Sequence, residues 1–212
     1  MNKESLLSIF KKYENCYASL LKEAKAITNS TKWGSGALDP YSLEPYRIEL
    51  LGEKPGKMLK GLSAPAKNRF LYHYDNKGKV VYAINYAELG GPPNKKEWIH
   101  FDEFYKYGDN EVFRFVFSSV LGDKVDAKLA KVILIKAANN KVETAYCLDI
   151  PEIEFKKTIY KYLGGGCISI DCTWPDGIYP TRKYMVEDGG ENIFDVTDGV
   201  RERIYPKSKL NK

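Results

Sequence analysis

No apolar run in this sequence approaches the roughly 18 residues that a bilayer-spanning helix needs; the best, residues 132–135, ends at Lys136. Histidine is scarce, with His73 and His100 the only two. Two histidines without clustered spacing complete no tetrahedral metal site. The four cysteines, Cys16, Cys147, Cys167 and Cys172, are too few and too scattered for a disulfide scaffold. Nucleotide fingerprints are missing: there is no G-x-x-x-x-G-K-[ST], no G-x-G-x-x-G between a strand and a helix, and no G-x-S-x-G elbow. Lys11, Lys12 and Glu14 interrupt the stretch where the apolar core of a secretory signal would lie. A soluble protein of a reducing cytosol is therefore expected, with no cofactor, no metal and no membrane partner.

Tyrosine, by contrast, is abundant, at 16 of 212 residues. Its ring covers a neighbouring strand while its hydroxyl reaches water, which suits β-sheets. The net charge of +5 is modest and unevenly spread. Residues 141–200 carry an acidic excess, whereas residues 201–212 are basic. A nucleic-acid binder concentrates positive charge on its folded surface, so this distribution disfavours that class.

Two periods divide the chain. Leu6, Phe10, Tyr13, Tyr17, Leu20, Ala24 and Ile27 recur at alternating spacings of three and four, one apolar stripe of a helix over about residues 4–28. Residues 32–66 hold four prolines and several glycines and read as an irregular connection with one short strand at 46–51. From Arg69 the period becomes two. Phe70, Tyr72 and Tyr74 alternate with Leu71 and His73; Val80, Tyr82, Ile84 and Tyr86, then Phe113, Phe115 and Phe117, then Ile168, Ile170 and Cys172 follow the same rule. Turn residues separate the runs at 75–78, 108–110, 139–140 and 188–190, each rich in the Gly, Asn and Asp that tolerate positive φ. The expected fold class is α+β: an N-terminal amphipathic helix packed on a large, mostly antiparallel meander of eight to ten strands in tandem hairpins. One domain spans residues 1–200, with its sheet over about 67–200, and residues 201–212 form a basic flexible tail.

Four groups of residues compete as sites. In "LGGGCISIDC", residues 163–172, three glycines precede Cys167, an arrangement that can aim backbone N–H groups beside a thiolate; a glycine-rich turn or bulge entering a strand is the simpler explanation. In "EWIHFDEFY", residues 97–105, His100 shares a strand face with Trp98 and Asp102, which sets an imidazole beside a carboxylate. These residues define an enzyme or small-ligand receptor reading, with Cys167, His100 and Asp102 around a pocket between helix and sheet. Basic and aromatic residues interleave in "KNRFLYHY" and "FRFVF", a pattern that also suits a sheet on which single-stranded nucleic acid stacks. Finally, Asp149, Glu152 and Glu154 precede "CTWPDGIYP", in which Trp174, Asp176 and Tyr179 are residue types favoured in protein interfaces.

Tyr74-Asp75-Asn76-Lys77-Gly78-Lys79-Val80 resembles one copy of the tyrosine-aspartate repeat of large bacterial shell-forming toxin proteins. No later turn keeps the Tyr-Asp pair and no fixed period follows, so it reads as a single hairpin and not as a solenoid. The helix followed by tandem hairpins is similar in style to the immunity proteins that accompany polymorphic toxins. That resemblance implies a non-enzymatic cytosolic binding protein that neutralises a cognate toxin domain by covering it. Asp149, Glu152, Glu154, Trp174, Asp176 and Tyr179 would be its contact residues, and the acidic segment would meet a basic cleft.

Overall fold

The computed structural model of the chain describes all residues except 92, 93, 95, 120–126, 151–153 and 207–212. Two helices, α1 (Lys3–Tyr13) and α2 (Tyr17–Ile27), precede thirteen antiparallel strands that form one sheet. The strands are β1 (Ser30–Ser35), β2 (Lys57–Met58), β3 (Arg69–Tyr74), β4 (Val80–Gly90), β5 (Glu97–Tyr107), β6 (Glu111–Ser118) and β7 (Lys128–Ala138). They continue as β8 (Lys141–Asp149), β9 (Glu154–Gly164), β10 (Cys167–Thr173), β11 (Arg182–Glu187), β12 (Asn192–Asp195) and β13 (Glu202–Tyr205). From β3 to β13 every strand pairs with its neighbours in sequence; β1 then pairs with β3, and β2 lies outside β1. The protein is thus mostly β and broadly α+β, with more strands than the eight to ten expected. No helix among the described residues is long and apolar enough to cross a membrane.

Local chemistry explains the hairpins. Asp75 Oδ1 accepts from the backbone N–H groups of Lys77 (2.9 Å) and Lys79 (2.8 Å). Gly78 closes that turn at φ +75° with open space where a Cβ would stand. Asn139 and Asn140 both take positive φ between β7 and β8, as a two-residue hairpin turn requires. Bulges at His73/Tyr74, Tyr86/Glu88 and Val116/Phe117 shift the register. The first of these lets Val80 join the core on one face while Tyr82 joins that on the other.

The apolar stripe runs where expected, but on two helices. Glu14 N–H donates to Phe10 O and Cys16 N–H to Tyr13 O, a tight turn that ends α1 before Tyr17 opens α2. The break lets one stripe serve distant strands, because α1 packs on β7 and β8 and α2 on β4 and β5. Leu6, Leu20 and Ala24 bury there against Tyr82, Phe104, Phe115, Phe117, Val132 and Leu148.

The irregular connection covers the opposite face as a strap. Tyr41 and Leu43 pack on Phe70, Tyr72 and Tyr105, and Leu43, Tyr46 and Leu50 pack on Ile133, Tyr160, Ile170 and Ile193. The strand expected at 46–51 does not form. Tyr46 sits at φ +58°, Glu49–Leu51 make a single 3-10 turn, and the segment bonds to itself while Tyr46 and Leu50 pack on the sheet. Tyr46 lies so close to Gly190 that a Cβ there would stand 2.4 Å from Cε1 of the ring. The segment expected as a tail is also partly sheet, since Glu202–Tyr205 pair with β12.

Candidate functional site

Strand β5 sends alternate residues to opposite faces, and the consecutive carboxylates Asp102 and Glu103 are both buried there, at 0% and 6% exposure. Asp102 faces the helices. Its Oδ2 accepts from the Tyr17 hydroxyl of α2 (2.9 Å) and its Oδ1 from the Tyr82 hydroxyl of β4 (2.5 Å). His100 Nδ1 lies 3.0 Å from Oδ2. Nδ1 is shielded from water, and the 29% exposure of the side chain therefore belongs to the far edge of the ring.

Contact with Asp102 holds the His100 imidazole above its ordinary pKa, against the lowering effect of burial. Burial, followed by the Asp102 charge, raises both Tyr17 and Tyr82, so both phenols stay protonated as donors. His73 projects from β3 beside Tyr82, with ring centroids 4.9 Å apart. Burial and the nearby Lys25 of α2 lower its pKa, and neither of its shielded ring nitrogens has a hydrogen-bond partner. Both histidines of the chain thus converge on one carboxylate.

Register extends the site across the sheet. Arg69 pairs with Tyr86 and Tyr86 with His100, which places a guanidinium, a phenol ring and an imidazole in one row. Trp33 stacks on Tyr86 at 6.0 Å, and Trp98 meets it edge-on at 6.0 Å. The Arg69 Nε is shielded and without a partner.

The structure brings His100 and Asp102 together as the parity of β5 requires, but it separates Cys167 from them. Five strand spacings of about 4.8 Å, about 24 Å in all, lie between β10 and β5. Cys167 also sits at the hairpin end opposite His100, next to the Gly164–Gly166 turn. The reading that joined Cys167 to His100 and Asp102 is therefore corrected: no shared pocket holds the three. Burial pushes the Cys147 thiol up to about 11 and also raises that of Cys172, which disfavours either as a thiolate. Clefts between helix and sheet exist elsewhere. One of 480 Å³ runs between α2 and the 75–79 turn, lined by Leu20, Ala24, Lys79, Phe104 and Tyr107.

The acidic and aromatic candidates gather at the far side of the same sheet end. Asp149 and Glu154 face each other across the β8–β9 pair. Asp149 is ion-paired with Lys131 at 2.6 Å, while Glu154 accepts from Trp174 Nε1 at 2.5 Å. Trp174 is half-buried against the strap-side core and meets Tyr179 edge-on at 5.5 Å. Asp176 pairs with Lys3 of α1 at 2.7 Å. Glu152 lies outside the described residues.

Tyr17, Tyr82 and Tyr86 were not singled out from the sequence as site residues, and Arg69 and His73 appeared only within the basic–aromatic run at 67–74. The one available signal was that the histidines sit inside aromatic, alternating runs; only strand register reveals their proximity. No family model, curated protein or solved structure matches the chain. Among the described residues no cluster of His, Cys, Asp and Glu is arranged to hold a metal ion.

Proposed function

We propose that this protein is a non-enzymatic binding protein of the immunity type, which neutralises a cognate toxin domain in the cytosol by covering it. The observation that carries this reading is the loop between β10 and β11. Ile178 and Tyr179 stand 52% and 48% exposed on it. Three ties hold the loop: Trp174 Nε1 to Glu154, Asp176 to Lys3, and the Gly177 N–H to the Trp174 carbonyl. An exposed apolar pair on a fixed loop suits a protein interface, because little conformational freedom is lost on binding. Trp174 anchors the loop from within, and Tyr179 is the contact residue. Since Asp149 and Asp176 are already paired with lysines, shape and apolar contact contribute more to this surface than net negative charge.

The test is site-specific photo-crosslinking from position 179 in the native host, with position 62 as control, since Leu62 is 97% exposed elsewhere. A single stoichiometric adduct from position 179 and none from 62 is expected, and Tyr179→Ala should weaken the purified complex about tenfold or more. A partner that crosslinks equally from both positions, or whose affinity ignores Tyr179→Ala, defeats the proposal.

A further inference from the structure

We infer that the row Arg69–Tyr86–His100, together with the adjoining flank of α2, is a binding site for a mononucleotide-like ligand: one aromatic ring carrying one phosphate. This site is distinct from the β10–β11 loop, and the inference goes beyond the protein-binding reading.

Its shape comes from α2. The flank that carries Tyr17 borders an open groove of 600 Å³, with Ala18, Leu21, Lys22, Lys25 and Ala26 along it. Its lining residues all belong to α2, so it forms one side of the site. The flank reaches the sheet at two points: Tyr17 bonds to Asp102, and the Lys25 charge acts on His73. The groove therefore adjoins the histidine–carboxylate cluster.

Its charge calls for an anion. Arg69 is half-buried and has no ion-pair partner among the described residues, so the protein leaves its guanidinium charge uncompensated. Two strands away, about 10 Å by strand spacing, the His100 imidazole is backed by the buried Asp102 and exposes its other edge. The ammonium groups of Lys22 and Lys25 stand along the groove. Asp102, the carboxylate at the centre of the cluster, is fully buried and already occupied by two phenols and His100, so it does not repel an incoming phosphate as an open carboxylate would.

Its rings call for a planar body. Tyr86 stands between Arg69 and His100, with Trp98 edge-on to it and Trp33 stacked behind. Guanidinium and imidazolium suit phosphate oxygens, while the half-buried Tyr86 and Trp98 offer stacking faces to a base. Trp33 is buried at 8% exposure, which leaves a single short aromatic shelf, sized for one base and not for a strand.

The experiment is calorimetric titration of the full chain with adenosine monophosphate, adenosine and inorganic phosphate in parallel. Saturable binding of the monophosphate is expected at pH 6, with adenosine and phosphate each about tenfold weaker or more. His100→Asn and Arg69→Gln should each lower affinity about tenfold. Binding should weaken as pH rises and His100 loses its proton. Asp102 on β5 and burial set that titration, and the other titratable or charged groups around the cluster are Tyr17 and Lys25 on α2, Tyr82 and Tyr86 on β4, and His73 and Arg69 on β3. A second measurement uses the unaltered protein: the ring resonances of His100, assigned by NMR, should move on addition of the monophosphate. Absence of saturation, unchanged affinity in both variants, adenosine binding as tightly as its phosphate, or an unmoved His100 signal would each overturn the inference.

Discussion

Asp102 and Glu103 are adjacent in the chain, share a strand and are both buried, yet the two faces of the sheet treat them differently. On the strap side, Glu103 meets permanent cations. Arg114 Nη2 donates to its Oε1 at 2.5 Å and the Tyr105 hydroxyl to its Oε2 at 2.7 Å. Arg114 also stands 3.6 Å from Asp39, which is itself paired with Arg47. Burial works to raise the Glu103 carboxyl, but Arg114, Tyr105 and Arg47 outweigh it and hold the group below the usual range. On the helix side, Asp102 is satisfied by two phenols and a histidine, groups that are neutral or able to become so. A carboxylate locked to a guanidinium fastens one layer to another; a carboxylate backing an imidazole leaves a proton free to move. The first cluster holds the strap on the sheet, and the second sets an ionisable imidazole beside a buried carboxylate.

The largest expected effect breaks the strap side. Arg114→Leu leaves Glu103 buried without its cation and should cost about 3–5 kcal/mol in urea unfolding. Replacing Glu103 by Leu in the same chain should recover much of that loss, because removing both partners also removes the uncompensated charge. A double variant as unstable as the single one would mean that the strap depends on the charges themselves.

A smaller effect is expected on the helix side. Asp102→Asn replaces a charged acceptor of two phenols by a neutral one and should cost about 1.5–3 kcal/mol. It should also return His100 towards its ordinary pKa of about 6.5, read by NMR titration. The pH windows of the two faces run in opposite directions. Because the folded pKa of His100 is raised, its contribution to stability is complete below the unfolded value and is lost as pH rises through the folded one. The folded pKa of Glu103 is lowered, so its contribution is present above the unfolded value and is lost as pH falls through the folded one. His73, with a lowered pKa, disfavours the folded state on acidification near the same pH, and Asp102 acts on it too, so the two histidines are followed separately by NMR in wild type and Asp102→Asn. The smallest change touches neither face. Gly78→Ala, at φ +75° in an open turn, should cost about 1 kcal/mol and set the scale for a purely local defect.

The sheet was legible because hairpin grammar is local. The Asp75–Gly78 turn and the alternation of Phe113, Phe115 and Phe117 need only a few residues to be recognised, and both form as read. The break between the helices was not legible, since Glu14, Asn15 and Cys16 include neither Gly nor Pro and the stripe continues through them. The strap misled for a related reason. Tyr46 and Leu50 look like strand residues, but their burial comes from lying across a sheet that the chain has yet to form at that point. Of the helix-side cluster, His100 and Asp102 could be joined by counting two along a strand. Tyr17, His73, Tyr82 and Arg69 could not, because they arrive from α2, β3 and β4, and strand register decides whether they meet.

The strap and the helices differ from the sheet in one further respect, the length of chain each must close. Strand pairing from β3 to β13 joins sequence neighbours and costs little loop entropy. Tyr17 meets Asp102 across 85 residues, Tyr46 meets Gly189 across 143 and Lys3 meets Asp176 across 173. Hairpins are therefore expected to assemble ahead of both covering layers, leaving the young sheet with two sticky sides until those dock. In that interval the chain is most open to aggregation, and its lifetime depends on how fast the covers arrive.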